Sequence, residues 1–123
     1  MNPERLRSVR SMLFVPAANP RAIEKARGLD ADMIVLDLED AVKPADKERA
    51  RTTAVEAAGI GFGDRVLAVR VNARGTVWYG ADLLALRGAR IDCLVVPKVE
   101  HHDGVRDVQQ LAGKPVQIGR AHV

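Results

Sequence analysis

The chain has 123 residues, of which 47% are hydrophobic and 28% charged, enough for one domain with a real core and too apolar for disorder. A net charge of +3 and a pI near 9.4 raise nucleic-acid binding as a reading. The 14 arginines and 5 lysines are interleaved with 16 acids, and aromatics are only 3%, so no basic stripe or stacking platform exists and that class is excluded.

The first apolar run, Met12 to Val15, predicts a strand, followed by Asn19 and Pro20 as N-cap and first residue of a helix with Ile23, Ala26 and Leu29 on its inner stripe. A second strand is expected over Met33 to Asp37. Pro44 opens a second helix with Asp46 and Glu48 in its first turn, where the helix dipole favours acids. Ala50, Ala54 and Ala57 line one side of it, and Gly59 is placed to stop it. Val66 to Val71 and Cys93 to Val96 predict two more strands, separated by a short helix from Ala81 to Leu86. A fourth helix between Gly104 and Leu111 and a strand starting at Val116 complete the series.

Continuous apolar runs of this length suit strands buried on both faces of a parallel sheet, so the alternation gives an α/β fold. The centres Leu13, Val35, Val69 and Val95 are 22, 34 and 26 residues apart. An eight-unit barrel allots about 31 residues to each unit. The spacing fits a barrel without excluding an open, doubly wound sheet, although no Gly-x-Gly-x-x-Gly follows the first strand. The apolar runs Met33 to Leu36 and Leu94 to Val96 are too short to span a membrane. The polar, arginine-bearing start does not read as a signal peptide, and the single Cys93 excludes an internal disulfide; a cytoplasmic location is expected.

In parallel α/β folds chemistry gathers at the carboxyl ends of strands. Here the second strand ends in Asp37-Leu38-Glu39-Asp40, whose three carboxylates repel one another unless a cation, a metal-bound water or a hydrogen-bond donor lies near. Helix capping by Asp40 and solvation of Glu39 are the plainer alternatives. Arg70 lies in an apolar strand, where a guanidinium needs an anion; Asp37 or Glu39 on the neighbouring strand can serve as well as a ligand. Asn72, Lys98 and Glu100 follow the third and fourth strands and are candidates to line a substrate pocket. His101-His102-Asp103 is a weak metal trio, because adjacent residues seldom point at one ion. Cys93 reads as a core residue, and Trp78-Tyr79 after the Gly75 turn either wall a pocket or pack under a loop.

Taken in order, these motifs resemble the HpcH/HpaI aldolase and citrate lyase β-subunit family, closest to its CoA-ester lyase branch. The resemblance is carried by Arg10-Ser11-Met12-Leu13-Phe14-Val15-Pro16, by Ala31-Asp32-Met33-Ile34-Val35-Leu36-Asp37-Leu38-Glu39-Asp40-Ala41-Val42, by Arg70-Val71-Asn72 with Gly75, Thr76 and Trp78, and by Val96-Pro97-Lys98-Val99-Glu100. It implies the N-terminal half of a TIM (β/α)8 barrel, about four β/α units plus the start of a fifth strand. It further implies magnesium-dependent cleavage of a carbon–carbon bond in a 3-hydroxyacyl-CoA thioester of the citryl-, malyl- or citramalyl-CoA type. Arg70 would be the catalytic, anion-binding arginine, with Asp37, Glu39 and Asp40 orienting metal-bound waters. Pro16, Asn19 and Lys25 would help hold CoA, and the parent would be a homotrimer or hexamer.

The glutamate and aspartate metal ligands of such a family are expected on later strands. Near positions 120 to 122 this chain has Arg120, Ala121 and His122 instead. Residues 1–116 are therefore expected to be a partial barrel and 117–123 a non-native tail resembling a translated sequencing adapter. The isolated chain is expected to be inactive. A metal-dependent aldolase of free 2-keto acids and a non-catalytic half-barrel working through a partner chain are the alternative readings.

Overall fold

The computed structural model describes residues 9–97 and the backbone of residues 116–119. In chain order the elements are β1 (Met12–Pro16), α1 (Pro20–Arg27), β2 (Met33–Asp37), α2 (Lys47–Ile60, entered through a 3-10 turn at Pro44–Asp46), β3 (Val66–Arg70), α3 (Tyr79–Leu86), β4 (Cys93–Pro97) and β5 (Val116–Gly119). All five strands are parallel and stand in the order β1-β2-β3-β4-β5. A doubly wound sheet reverses its strand order at a switch point, and this sheet does not. The helices of the three described crossovers, α1, α2 and α3, pack on the same face of this sheet, as in an arc of barrel wall.

Strand alternation sorts the core accordingly. Ile34, Leu36, Leu67, Val69, Leu94 and Val96 face the helices and pack with Ile23 and Ala26 of α1, Ala50, Ala54 and Ala57 of α2, and Leu83 and Leu86 of α3. The small alanines let α2 approach the sheet closely. The opposite parity, Met33, Val35, Val66, Ala68, Cys93 and Val95, forms a second cluster with Val9 and Phe14 against it. Continuing that parity to the carboxyl ends of β2 and β3 brings in Asp37 and Arg70, so the sheet face away from the helices ends in a carboxylate and a guanidinium. Truncating Leu83 or Leu86, both fully buried, removes contacts worth about 2–5 kcal/mol.

Two aspartates placed one residue before a strand clamp the opposite, amino-terminal edge. Asp32 accepts the backbone N–H groups of Arg10 and Ser11 at 2.9 and 3.2 Å. Asp92 accepts that of Leu67 at 2.8 Å, while its own N–H donates to the Leu67 carbonyl. The donors lie just before β1 for Asp32 and near the start of β3 for Asp92.

Three expectations change. Leu29 is 40% exposed, because α1 ends at Arg27 and Gly28 caps it, leaving Leu29 beyond the last turn. Gly59 does not stop α2; the helix runs to Ile60 and ends at Gly61, whose φ of +91° supplies the left-handed turn. The third helix starts two residues earlier than expected, at Tyr79. The helix expected over 104–111 lies outside the described residues. β5 continues three residues past Val116, and because pairing uses backbone groups alone, this is silent on the origin of residues 117–123. Among the described residues no helix is long and apolar enough to cross a membrane.

Removing the Asp92 clamp by Asp92→Ala leaves the Leu67 N–H without its acceptor and lowers stability by about 1–3 kcal/mol, read from urea unfolding midpoints. Asp92→Asn keeps an acceptor oxygen and loses less.

Candidate functional site

Parallel register sets Asp37 at the end of β2 directly beside Arg70 at the end of β3. The two side chains form a two-point pair, Arg70 Nε donating to Asp37 Oδ1 at 2.9 Å and Nη2 to Oδ2 at 2.8 Å. Glu39 Oε1 lies 3.5 Å from Arg70 Nε, and the guanidinium stacks 4.9 Å from the centroid of the Phe14 ring on β1. The same two Asp37 oxygens also accept the N–H groups of Glu39 (2.8 Å) and Ala41 (3.0 Å). Four donors thus converge on one buried carboxylate. Burial by itself would raise its pKa, but the Arg70 hydrogen bonds and the two backbone N–H groups prevail and hold it below the usual carboxylate value. The Asp37 hydrogen bond raises the Arg70 pKa despite burial.

The chain bends sharply at residues 38–41, and the bend is gripped from both sides. Asp37 takes its amides, and Lys47, at the start of α2, takes its carbonyls: Nζ donates to Leu38 O at 2.8 Å and Glu39 O at 2.7 Å. Lys47 is only 6% exposed, and its ammonium sits 5.1 Å from the centroid of the Trp78 ring. Burial pulls its pKa down, opposed by the charges of Asp37, Asp82, Glu39 and Asp40. Glu39 goes the other way: burial, then repulsion from Asp40, raises its pKa against the attraction of Arg70. Behind the bend, Asp82 of α3 is fully buried and accepts Asn72 N (3.0 Å), Asn72 Nδ2 (2.7 Å) and Arg51 Nε (2.9 Å), tying the segment after β3 to α2 and α3.

Phe14, Asp37, Asp40, Ala41 and Arg70 line an open cavity of about 410 Å³ above the strand ends. Arg70 lines this cavity while its Nε and Nη2 are held by Asp37; among the described residues no hydrogen bond engages its Nη1. A second cavity, of about 380 Å³, lies at the far edge of the sheet among Arg27, Phe62 and Arg65. Those arginines are spent on the carbonyls of Ala26, Arg27 and Ala57, which close helix ends.

Among the described residues no three His, Cys, Asp or Glu side chains converge as a metal site. Asp37 is saturated by its four donors, which leaves Glu39 and exposed Asp40 as carboxylates able to accept hydrogen bonds from a metal's waters rather than to form its inner shell.

Of the residues singled out from sequence, Asp37, Glu39, Asp40 and Arg70 come together. Arg70 adopts the ionic pairing with its neighbouring strand that its sequence position allowed. Asn72 is buried and committed to Asp82, away from the cavity lining. Pro16 is half-buried at the end of β1, Asn19 caps α1 by accepting Ala22 N at 3.1 Å, and Lys25 is exposed on that helix; none of the three lines the cavity. Trp78 packs beneath Lys47. Lys98, Glu100 and the His101-His102-Asp103 run lie outside the described residues.

Lys47, Arg51 and Asp82 were missed, although two of them leave a sequence signal. A lysine in the first turn of a helix opposes the dipole and needs another reason to be there. Asp82 shares the buried stripe of α3 with Tyr79, Leu83 and Leu86, where an acid requires donors.

The lowered pKa of Asp37 fixes a pH dependence. Its contribution to stability is fully present above the ordinary aspartate value, about 3.9, and is lost as pH falls through the lower folded-state value. Asp37→Asn is therefore predicted to be less stable than the parent at neutral pH, with a deficit that shrinks in acid, measured by urea unfolding across a pH series.

The profile of the HpcH/HpaI aldolase/citrate lyase family matches residues 10–122. A (3S)-malyl-CoA thioesterase of Cereibacter sphaeroides is 47% identical over 93 residues, covering 73% of this chain and 32% of its own length. The citrate lyase subunit beta of Leuconostoc mesenteroides subsp. cremoris is 39% identical, covering 100% of this chain and 42% of its own. Among solved structures, the citrate lyase β subunit of Mycobacterium tuberculosis complexed with oxaloacetate and magnesium superposes with a TM-score of 0.75 at 34% identity, covering 93% of this chain and 48% of that one. The chain thus spans about a third to a half of the length of these relatives. Its sheet is part of a TIM-barrel-type fold, and the chain belongs to the HpcH/HpaI aldolase/citrate lyase family.

Proposed function

We propose that the whole protein carrying these residues is a magnesium-dependent carbon–carbon lyase acting on a 3-hydroxyacyl-CoA thioester of the malyl-, citryl- or citramalyl-CoA type. The observation that carries this reading is the Asp37–Arg70 pair lining a cavity at the carboxyl ends of the strands. Relatives named as citrate lyase subunit beta and L-malyl-CoA/beta-methylmalyl-CoA lyase support it.

In such a cleavage the substrate's 3-hydroxyl loses its proton and becomes a carbonyl. The electron pair of the broken carbon–carbon bond passes to the thioester side as an enolate, which then takes a proton to give the acyl-CoA. Negative charge moves between oxygens throughout, so a fixed cation is of more use than a strong acid. Arg70, held in one orientation by Asp37 and Phe14, supplies that cation and a donor to a substrate oxygen. Magnesium, when bound, would supply a Lewis acid, and Glu39 and Asp40 would accept hydrogen bonds from its waters. Lys98 and Glu100 are assigned to the surroundings of the pocket, and Pro16, Asn19 and Lys25 to the CoA side. A homotrimer or hexamer in a reducing cytoplasm completes the reading, supported by family membership and the lone buried Cys93.

A second reading, thioester hydrolysis, is favoured by the malyl-CoA thioesterases among the relatives. Products separate the two: acetyl-CoA with glyoxylate from malyl-CoA marks the lyase, and free CoA with malate marks the hydrolase. With magnesium, the whole protein is predicted to release a keto acid and an acyl-CoA from at least one of these thioesters, and to stop when the metal is chelated. Arg70→Lys loses the two-point geometry and should lower kcat/KM by about 10²–10³-fold. Unchanged turnover in that variant would remove Arg70 from the chemistry.

A further inference from the structure

Lys47 is a buried cation to which the proposed reaction gives no role. It enters no ion pair with the described residues; its hydrogen bonds go to the carbonyls of Leu38 and Glu39, and its remaining side faces the Trp78 ring. A lysine kept from water at a helix start, against the dipole and without a paired carboxylate, is costly for stability alone. What it grips is the bend carrying Glu39 and Asp40 past Arg70. Without that grip the Leu38 and Glu39 carbonyls lose their shared charged donor, and the turn is left to the Asp37 contacts with the amides of Glu39 and Ala41, the Val42 N–H on the Glu39 carbonyl and the Leu38 N–H on the Arg70 carbonyl.

We infer that Lys47 is a positioning residue: by holding the carbonyls of Leu38 and Glu39 against the Trp78 face, it sets the Glu39 carboxylate beside Arg70 and thereby the charge layout of the cavity. The inference rests on the proposed lyase function only for its effect on turnover; its geometric content stands apart. Lys47 is not among the residues that line the cavity and acts through the bend. The charged groups around it are Asp37 on β2, Glu39 and Asp40 in the bend, and Asp82 on α3.

The test is made on the whole protein with Lys47→Met, Glu39→Gln and the double variant, reading the Arg70 Nε–H signal by NMR and its exchange with solvent. The expected result is that Lys47→Met shifts this signal and speeds its exchange as Glu39→Gln does, and that the double variant adds little beyond either. If Lys47→Met fails to fold, Lys47→Gln, with a shorter uncharged polar head, carries the same expectation. In turnover, kcat should fall about 10–100-fold with KM nearly unchanged, the size seen when supporting residues of a metal site are removed, and Lys47→Arg should recover part of it. A folded Lys47→Met or Lys47→Gln protein with an unaltered Arg70 signal overturns the inference. Absence of lyase turnover in the parent protein would instead overturn the functional reading and leave the NMR result to decide on Lys47.

Discussion

The bidentate contact between Asp37 and Arg70 joins the ends of β2 and β3 where the sheet gives way to bends, and its energetics constrain everything around it. Both side chains are mostly buried, at 2% and 13% exposure, so each would be costly alone. Losing one partner of such a pair costs about 3–5 kcal/mol, while an apolar replacement of both is often no less stable. A protein choosing only stability has little reason to keep the pair. Its retention is intelligible if the arginine must be present, desolvated and held in one orientation, with Asp37 as the anion that permits it.

From that constraint the neighbouring arrangement follows. Asp37 must stay ionised to hold Arg70, and the amides of Glu39 and Ala41 help keep it so, which forces the chain to turn back immediately after β2. The turn leaves carbonyls facing inward, and Lys47 takes them. The turn also sets Glu39 beside Asp40; burial first, then repulsion from Asp40, raises the Glu39 pKa. Phe14 from β1 backs the guanidinium, so three successive strands define the floor of one cavity.

Much of this was legible in the sequence because short apolar runs in a parallel sheet are hard to mistake. β2 begins and ends where its run does, and the others differ by a residue. Strand order was not legible: spacing is blind to which strand lies beside which, and the sequential sheet decided between barrel and doubly wound forms. The cluster Asp37, Glu39, Asp40 and Arg70 could be assembled because strand ends concentrate polar residues and the neighbouring runs fix the pairing. Asn72 misled because a strand-end amide looks the same whether it faces a ligand or a buried acid, and its partner Asp82 sits ten residues away on a helix. Lys47 was passed over because its neighbours Asp46 and Glu48 suit a helix start, which hid the one residue that does not.

The most direct test of the account is a high-resolution structure of the whole protein with magnesium and a keto-acid product bound. The account predicts a ligand oxygen within hydrogen-bond distance of Arg70 Nη1, the Asp37 contacts to Arg70 Nε and Nη2 intact, and Glu39 or Asp40 reaching the metal through water. A ligand bound elsewhere, or an Arg70 that leaves Asp37 to reach it, would contradict the claim that this pair is the preformed anchor of the site.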